Sequence, residues 1–361
     1  MIQTEQFLKE ETWRYFWHPV CTLQELRDAN TDGRGNRKFA QLLGEELVVA
    51  ETSNGVIALN DRCPHRSASL SLGWVEDDCI RCPYHGWKYN SDGQCVEIPA
   101  APDLPIPPNA LAKKYDVQVM YNLVWVRLEQ GVDIPIPDFP DYDDPEMKLV
   151  YYPTYEWKTS AARRLENFVD LQHFAWVHDG TLGDRNFPEY PVPQVDQSQG
   201  QLRWLYRPYE NTRTDGANQN VVERSEYVIT MPFNVQLSIY STNGNRTGLW
   251  MISSPMDSGN CRNFTYMSRN HFDDEDQVHI DFDTKVYQED LPVIESQKPR
   301  EIPNPTQEIS IPQDKVLIFY RRWLKEMSNA SEKGHEELQV AWSRERCETK
   351  AANNDKDVNL T

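Results

Sequence analysis

Cys63-Pro64-His65-Arg66 is separated from Cys82-Pro83-Tyr84-His85-Gly86-Trp87 by a gap of hairpin length, with sixteen residues between His65 and Cys82. Two thiolates and two imidazoles can hold one zinc ion, or a 2Fe-2S cluster in which two histidines replace two cysteines on one iron. Within each loop the ligand types alternate Cys-His instead of pairing as Cys-Cys and His-His. Pro64, Pro83 and Gly86 favour tight loops that turn backbone N–H groups toward the sulfurs. Both features favour the cluster over a structural zinc ribbon.

A second constellation runs from Glu166 to His178. His173 and His178 are five residues apart, and Asp170 stands three residues before the first. On a helix Asp170 and His173 share a face, whereas His178 meets His173 only where the helix is distorted or ends; Gly180 marks such an end. The zinc-protease order, histidines four apart with Glu directly after the first, is absent. Two histidines plus one distant carboxylate suit the facial triad of a non-haem Fe(II) oxygenase, which leaves positions open for dioxygen. The alternative is a helix end with two buried, hydrogen-bonded histidines.

These residues need elements to position them. Leu47-Val48-Val49-Ala50, the turn signal Asn54-Gly55 and Val56-Ile57-Ala58-Leu59 predict a hairpin, and 117–128 predicts another strand pair, so 1–130 reads as a small all-β domain with an N-terminal helix. Pro135, Pro137, Pro140 and Pro145, mixed with Asp138, Asp141, Asp143 and Asp144, predict a linker over 131–148. Beyond it, helical spacing over 159–177 predicts one helix ending near Asp179. Alternating runs at 202–206, 227–230, 235–240 and 249–253 predict an antiparallel sheet, and helices return at 284–297 and 314–327. The expected class is α+β: the all-β domain, then a second domain at 149–330 whose antiparallel sheet is flanked by helices. Residues 331–361 are polar and charged, with Leu338, Val340 and Trp342 as the only anchors, and predict a loosely held tail.

Composition narrows the function further. The 361 residues, 39% hydrophobic and 26% charged, are enough for two cores. The 56 acidic against 37 basic side chains, a net charge of -19, argue against a nucleic-acid surface. No apolar run is long enough for a bilayer span, and 1–11 lacks signal-peptide regions, so no membrane partner and a cytoplasmic location are expected. Seven sparse cysteines do not suggest a disulfide framework. Four of them fall within 63–95, where Cys79 and Cys95 are expected to pack as small apolar residues. No glycine-rich dinucleotide fingerprint and no flavin site is readable, so NAD(P)H would act only through a separate flavin/iron-sulfur reductase or a ferredoxin.

The two loops at Cys63, His65, Cys82 and His85 resemble the signature of a Rieske domain. The likeness extends through Phe16-Trp17-His18-Pro19-Val20-Cys21, the Glu166 to His178 segment, Asp179-Gly180-Thr181-Leu182-Gly183-Asp184-Arg185-Asn186 and Tyr320-Arg321-Arg322-Trp323-Leu324-Lys325-Glu326. The chain thus resembles Rieske non-haem iron oxygenases of the single-subunit monooxygenase type, a group that includes purine-alkaloid N-demethylases and cyanobacterial saxitoxin-pathway hydroxylases. The resemblance implies one Rieske 2Fe-2S cluster, with Cys63 and Cys82 on one iron and His65 and His85 on the other, solvent-facing one. It also implies one mononuclear Fe(II) on His173 and His178, O2 as co-substrate and a small-molecule substrate, oxidised by N-demethylation or C–H hydroxylation.

Gln288 to Gln297 resembles the carboxylate-bearing helix of these enzymes, making Asp290 the third ligand, with Glu289 and Glu295 as competitors and Pro292 predicting a kink or helix start. If the segment before Pro292 is helical, Asp283 and Tyr287 share the face of Asp290 and are pocket candidates. The family further implies a head-to-tail homotrimer in which His85 of one subunit faces the iron of the next, Asp170 bridging His85 and His173. The rival reading is a Rieske electron carrier or a structural metal module without oxygenase activity.

Overall fold

The computed structural model describes residues 7–208, 221–272 and 274–344. They divide into two compact units: 13–136 together with 254–262, and the remaining described residues.

The first unit is built of short antiparallel strands. In chain order these are β1 (His18–Thr22), β2 (Arg37–Leu42), β3 (Glu45–Thr52), β4 (Gly55–Asn60), β5 (Trp74–Glu76), β6 (Cys79–Arg81), β7 (Lys88–Tyr89), β8 (Cys95–Glu97), β9 (Asp116–Met120) and β10 (Leu123–Arg127), with helix α1 (Leu23–Asp28) after β1. They form sheets ordered β1-β10-β9, β2-β3-β4 and β5-β6-β7-β8. Leu47, Val48, Val49 and Ala50 are all buried, which is why β3 reads as a continuous apolar run instead of an alternating one. The Asn54-Gly55 turn closes the β3-β4 hairpin, and Gly55 takes φ +116, a conformation that side chains disfavour. The expected N-terminal helix is a six-residue 3-10 helix at 10–15.

The division between units falls at 136/137, inside the expected linker, but that stretch is not a loose tether. Ile134, Ile136, Phe139 and Asp141 are buried. Phe139 stacks on Trp250 at 4.6 Å, and Asp141 accepts from Arg246 and Ser268 at 2.5 Å each. The Pro/Asp composition that suggested a linker here serves a packed segment that includes a 3-10 turn at Pro140–Tyr142.

The second unit holds strands β11 (Lys148–Tyr151), β12 (Tyr155–Trp157), β13 (Val195–Ser198), β14 (Gln201–Tyr206), β15 (Val222–Thr230), β16 (Asn234–Ser241), β17 (Arg246–Asp257) and β18 (Asn260–Arg269), apart from 254–262 at the end of β17 and the start of β18, and helices α2 (Ala161–Val169), α3 (Phe174–Val177), α4 (Asp276–Ser296), α5 (Lys315–Ser331) and α6 (His335–Ser343). The sheet order is β11-β18-β17-β16-β15-β14-β13, with β12 also on β18. Alternation is clean in β14, where Leu202, Trp204 and Tyr206 are buried while Arg203 and Leu205 are exposed, as expected of a sheet with one covered face. α5 buries Val316, Tyr320, Trp323, Leu324 and Met327 at helical spacing.

Three expectations need correction. The single helix over 159–177 is two, because Asp170 adopts extended angles and ends α2 before the short α3 begins. Pro292 neither starts nor stops a helix; it lies inside α4, which runs on to Ser296. Within the expected tail, α6 is a packed helix with Leu338 fully buried and Arg344 stacked over Trp323 at 4.2 Å; residues 345–361 lie outside the described part. No helix among the described residues is long and apolar enough to cross a membrane.

Candidate active site

Cys63 follows β4 and Cys82 follows β6, each in a tight loop. Ser67 N–H donates to the Cys63 carbonyl at 2.8 Å, and Gly86 N–H to that of Cys82 at 3.1 Å. Gly86 takes φ +73, and a Cβ there would press on Pro99 at 3.2 Å. The two thiols are buried and within hydrogen-bond reach of each other, while the N–H groups of Tyr84 and His85 point at the Cys82 sulfur and the Tyr89 hydroxyl lies 3.1 Å from that of Cys63. The ring centroids of His65 and His85 are 4.6 Å apart, with His65 stacked on Trp87 and His85 exposed. Buried thiols ringed by N–H and O–H donors, beside two surface imidazoles, make a donor set that fits a cluster with one buried and one solvent-facing iron. Cys95 packs in the hydrophobic core of this unit, whereas Cys79 is only half-buried.

The second donor set is held by α2, the turn after it, α3 and α4. Because α2 stops at Asp170, the chain turns and presents His173 and His178 from either end of α3, their Nε2 atoms 3.2 Å apart. Asp290, 5% exposed on α4, places Oδ1 3.4 Å from Nε2 of His173 and 3.2 Å from that of His178. These three residues form a convergent group that could hold one metal ion. Its charges are already arranged for a cation. Burial alone would depress His173, but the bonds to Asp170 and Asp290 override it and raise this imidazole to about 9. Burial likewise pushes Asp290 up, yet its bonds to the two histidines hold it well below the usual carboxylate range.

Asp170 was expected to share a helix face with His173. It is instead the extended residue after α2, and its Oδ2 still lies 3.4 Å from Nδ1 of His173. The competitor Glu289 accepts at 2.8 Å from Nδ1 of His178 and at 2.9 Å from the Thr181 hydroxyl, so it orients the ring from behind. Glu295 lies elsewhere, accepting from the Lys158 N–H at 2.9 Å.

Sequence reasoning missed Asn167 and Arg164. Asn167 donates to Asp290 at 3.0 Å, and the buried Arg164 donates to Asn167 at 2.8 Å while lying over Trp157 at 4.4 Å. Asn167 is one of several polar residues in α2, beside Arg163, Arg164 and Glu166, so its type alone gave no signal. Its partner, 123 residues away, was not readable.

Two cavities flank the three donors. One is apolar, lined by Phe168, Phe174, Leu237, Ile239, Leu249 and Met267, and both Asp283 and Tyr287 border it. Burial pushes the Asp283 carboxyl up to about 6 against the hydrogen bond it accepts from Tyr152 at 2.7 Å. The other, of about 450 Å3, is polar and opens onto Asp170, His173 and Asp290 beside Glu166 and Arg321.

Comparison with known proteins supplies the remaining findings. A family model described as the Rieske [2Fe-2S] domain matches residues 16–108, and one described as the vanillate O-demethylase oxygenase C-terminal domain matches 157–330. The chain is 41% identical over 336 residues to the methylxanthine N1-demethylase NdmA of Pseudomonas putida, covering 92% of this chain and 94% of the relative. It is 41% identical over 341 residues to the methylxanthine N3-demethylase NdmB of the same organism, covering 92% and 95%. The solved structure of Pseudomonas putida CBB5 NdmA with caffeine matches with a TM-score of 0.86 at 38% identity, over 92% of this chain and 96% of that one.

Proposed function

The chain belongs to the Rieske non-haem iron oxygenases, and from that membership we propose that it removes a methyl group from a nitrogen of a small heterocycle. As a member it is an oxidoreductase that carries a 2Fe-2S cluster and a mononuclear iron, uses O2, and receives electrons from a separate reductase. The observation that carries the proposal is the placement of His173, His178 and Asp290 at the wall of an apolar cavity that Asp283 also lines.

In this reading Cys63 and Cys82 hold one iron of the cluster and His65 and His85 the other, while His173, His178 and Asp290 hold the mononuclear iron. The bound groups supply electron delivery and dioxygen activation; the chain supplies orientation and exclusion of water. Glu289 fixes the tautomer and angle of His178, and Asn167 fixes Asp290. Phe168, Phe174 and Leu249 sandwich a flat ring, and Asp283 selects one that brings an N–H or a positive charge. The net reaction takes an N-methyl amine, O2, NADH and a proton to the demethylated amine, formaldehyde, water and NAD+. The exposed His85 and the polar cavity at Asp170 support a head-to-tail trimer in which electrons pass from one copy to the next. The need for reduced nicotinamide supports the cytoplasm as location.

The test is aerobic turnover with a surrogate reductase and NADH on N-methylated heterocycles and guanidinium alkaloids, following formaldehyde and product mass together. Formaldehyde with a product one methyl lighter is expected. A product heavier by one oxygen without formaldehyde replaces this reading with hydroxylation.

Two variants probe the roles. Glu289→Gln is expected to weaken iron retention roughly 10- to 100-fold, measured as iron per chain after dialysis against a chelator; retention equal to the parent removes Glu289 from its orienting role. For Asp283, a value near 6 means a neutral acid below that pH and a carboxylate above it. The KM of a cationic substrate should therefore fall as pH rises through about 6. Asp283→Asn should flatten the profile and raise KM above pH 7 by roughly 10- to 100-fold, the effect of losing a charged hydrogen bond. A pH profile that survives the substitution counts against Asp283 as the recognition group.

A further inference from the structure

The helix that carries Asp290 has a second donor set near its other end. His279 lies in the first turn of α4, His271 in the segment after β18, and Asp274 between them. One ligand atom from each lies within 4.8 Å of the other two. His271 and His279 are 6% and 4% exposed. Nε2 of His279 has no hydrogen-bond partner among the described residues, and the nearest Asp274 oxygen stands 3.7 Å away, beyond a hydrogen bond. Folded proteins rarely leave a buried ring nitrogen so, and a bound ion is one of the usual reasons.

The surroundings frame these donors. Arg269, fully buried, donates to the carbonyls of His271 at 2.6 Å and Asp274 at 2.8 Å, and its charge is met by Asp276 at 2.6 Å. The carbonyls of His271 and Asp274 are thereby held in place, while the Asp274 carboxylate, one-third exposed, leaves a path from solvent. The Thr247 hydroxyl lies 3.1 Å from Nε2 of His271 and orients that ring.

We propose that His271, Asp274 and His279 form a second metal site, for a zinc-class divalent cation, separate from the donors around Asp290. Two imidazoles and one carboxylate are ligands of zinc, not of calcium or magnesium, which prefer oxygen. Ligands about 2.0–2.2 Å from a tetrahedral ion lie about 3.3 Å apart, so the 3.7 Å between His279 and Asp274 needs only a small side-chain turn. Three protein ligands leave the fourth position to water. The site is eleven residues, about 16 Å of helix, from Asp290. It ties the start of α4 to the end of β18, a structural cross-link for the helix that holds Asp290.

The test uses the full chain with its cluster. The His173→Ala/His178→Ala double variant, which lacks the first donor set, is dialysed against Zn2+ alone, with visible absorbance showing that the cluster is intact. One zinc per chain is expected, lost on adding Asp274→Asn or, separately, His279→Gln. The iron-replete parent, its first site filled, is expected to take up the same single zinc, with a higher unfolding temperature that Asp274→Asn does not show. No bound zinc in either protein, or zinc that persists through both substitutions, overturns the proposal.

Discussion

The Asp170→Asn variant keeps its iron and its cluster and loses turnover by roughly 10- to 100-fold. Asparagine preserves the shape of the residue and its acceptance of the Gln172 N–H, at 2.9 Å in the parent, so the turn after α2 stands. What goes is the negative charge 3.4 Å from Nδ1 of His173. That charge, with Asp290, is what overrides burial and raises His173 to about 9. Iron binding survives because Nε2 of His173, its contact with Asp290 and both other donors are untouched. Electron arrival suffers because the link from the polar cavity to His173 is no longer an ionic one. The measurement is a single turnover with pre-reduced protein, following cluster oxidation after substrate and oxygen are mixed in. A rate equal to the parent's, at equal iron content, means that Asp170 has no part in the transfer.

Asp290→Ala abolishes turnover by removing about one iron per chain while the cluster remains. Its carboxylate is the only anion within reach of both histidine Nε2 atoms among the described residues, at 3.4 and 3.2 Å. Without it, two neutral imidazoles face a cation with no compensating charge, and Asn167 loses its acceptor. Iron analysis beside the visible spectrum checks the claim; three-iron content with normal activity contradicts it. The same variant tests the trimer. Asp290→Ala subunits have an intact cluster and His85→Ala subunits an intact mononuclear site, so co-assembled mixtures regain activity only if electrons cross between copies. An inactive mixture of demonstrated hetero-oligomers excludes the head-to-tail arrangement. A Rieske carrier without oxygenase activity has no use for the second iron at all.

Local chemistry was legible in the sequence because it is written in short segments. The two Cys-His loops, the Asn54-Gly55 hairpin and the alternation of β14 each depend on neighbours a few residues away. Asp290 and Glu289 show where that legibility ends. They are adjacent carboxylates 100° apart on a helix, and only packing decides that one faces Nε2 of both histidines while the other reaches round to Nδ1 of His178. Asp170 shows a different limit: spacing suggested a shared helix face, but the contact with His173 exists because the helix stops. The packing of the Pro/Asp stretch was not legible because burial of Asp141 depends on Arg246 and Ser268, over a hundred residues distant. Leu338 drew little weight in a polar context, yet α6 is packed around it.

Asp283, Tyr287 and Asp290 stand on one face of α4, some 10 Å of unbroken rod from first to last. Reshaping the pocket for another substrate is therefore not free at every wall. On the roles proposed for these residues, a larger or smaller side chain at 283 or 287 that nudges the rod will also misalign Asp290, and specificity will change at the expense of metal affinity. Leu237, Ile239 and Leu249 face the same cavity from β16 and β17, anchored by strand pairing on both sides. An engineer seeking altered selectivity with intact oxygen chemistry should begin on the sheet.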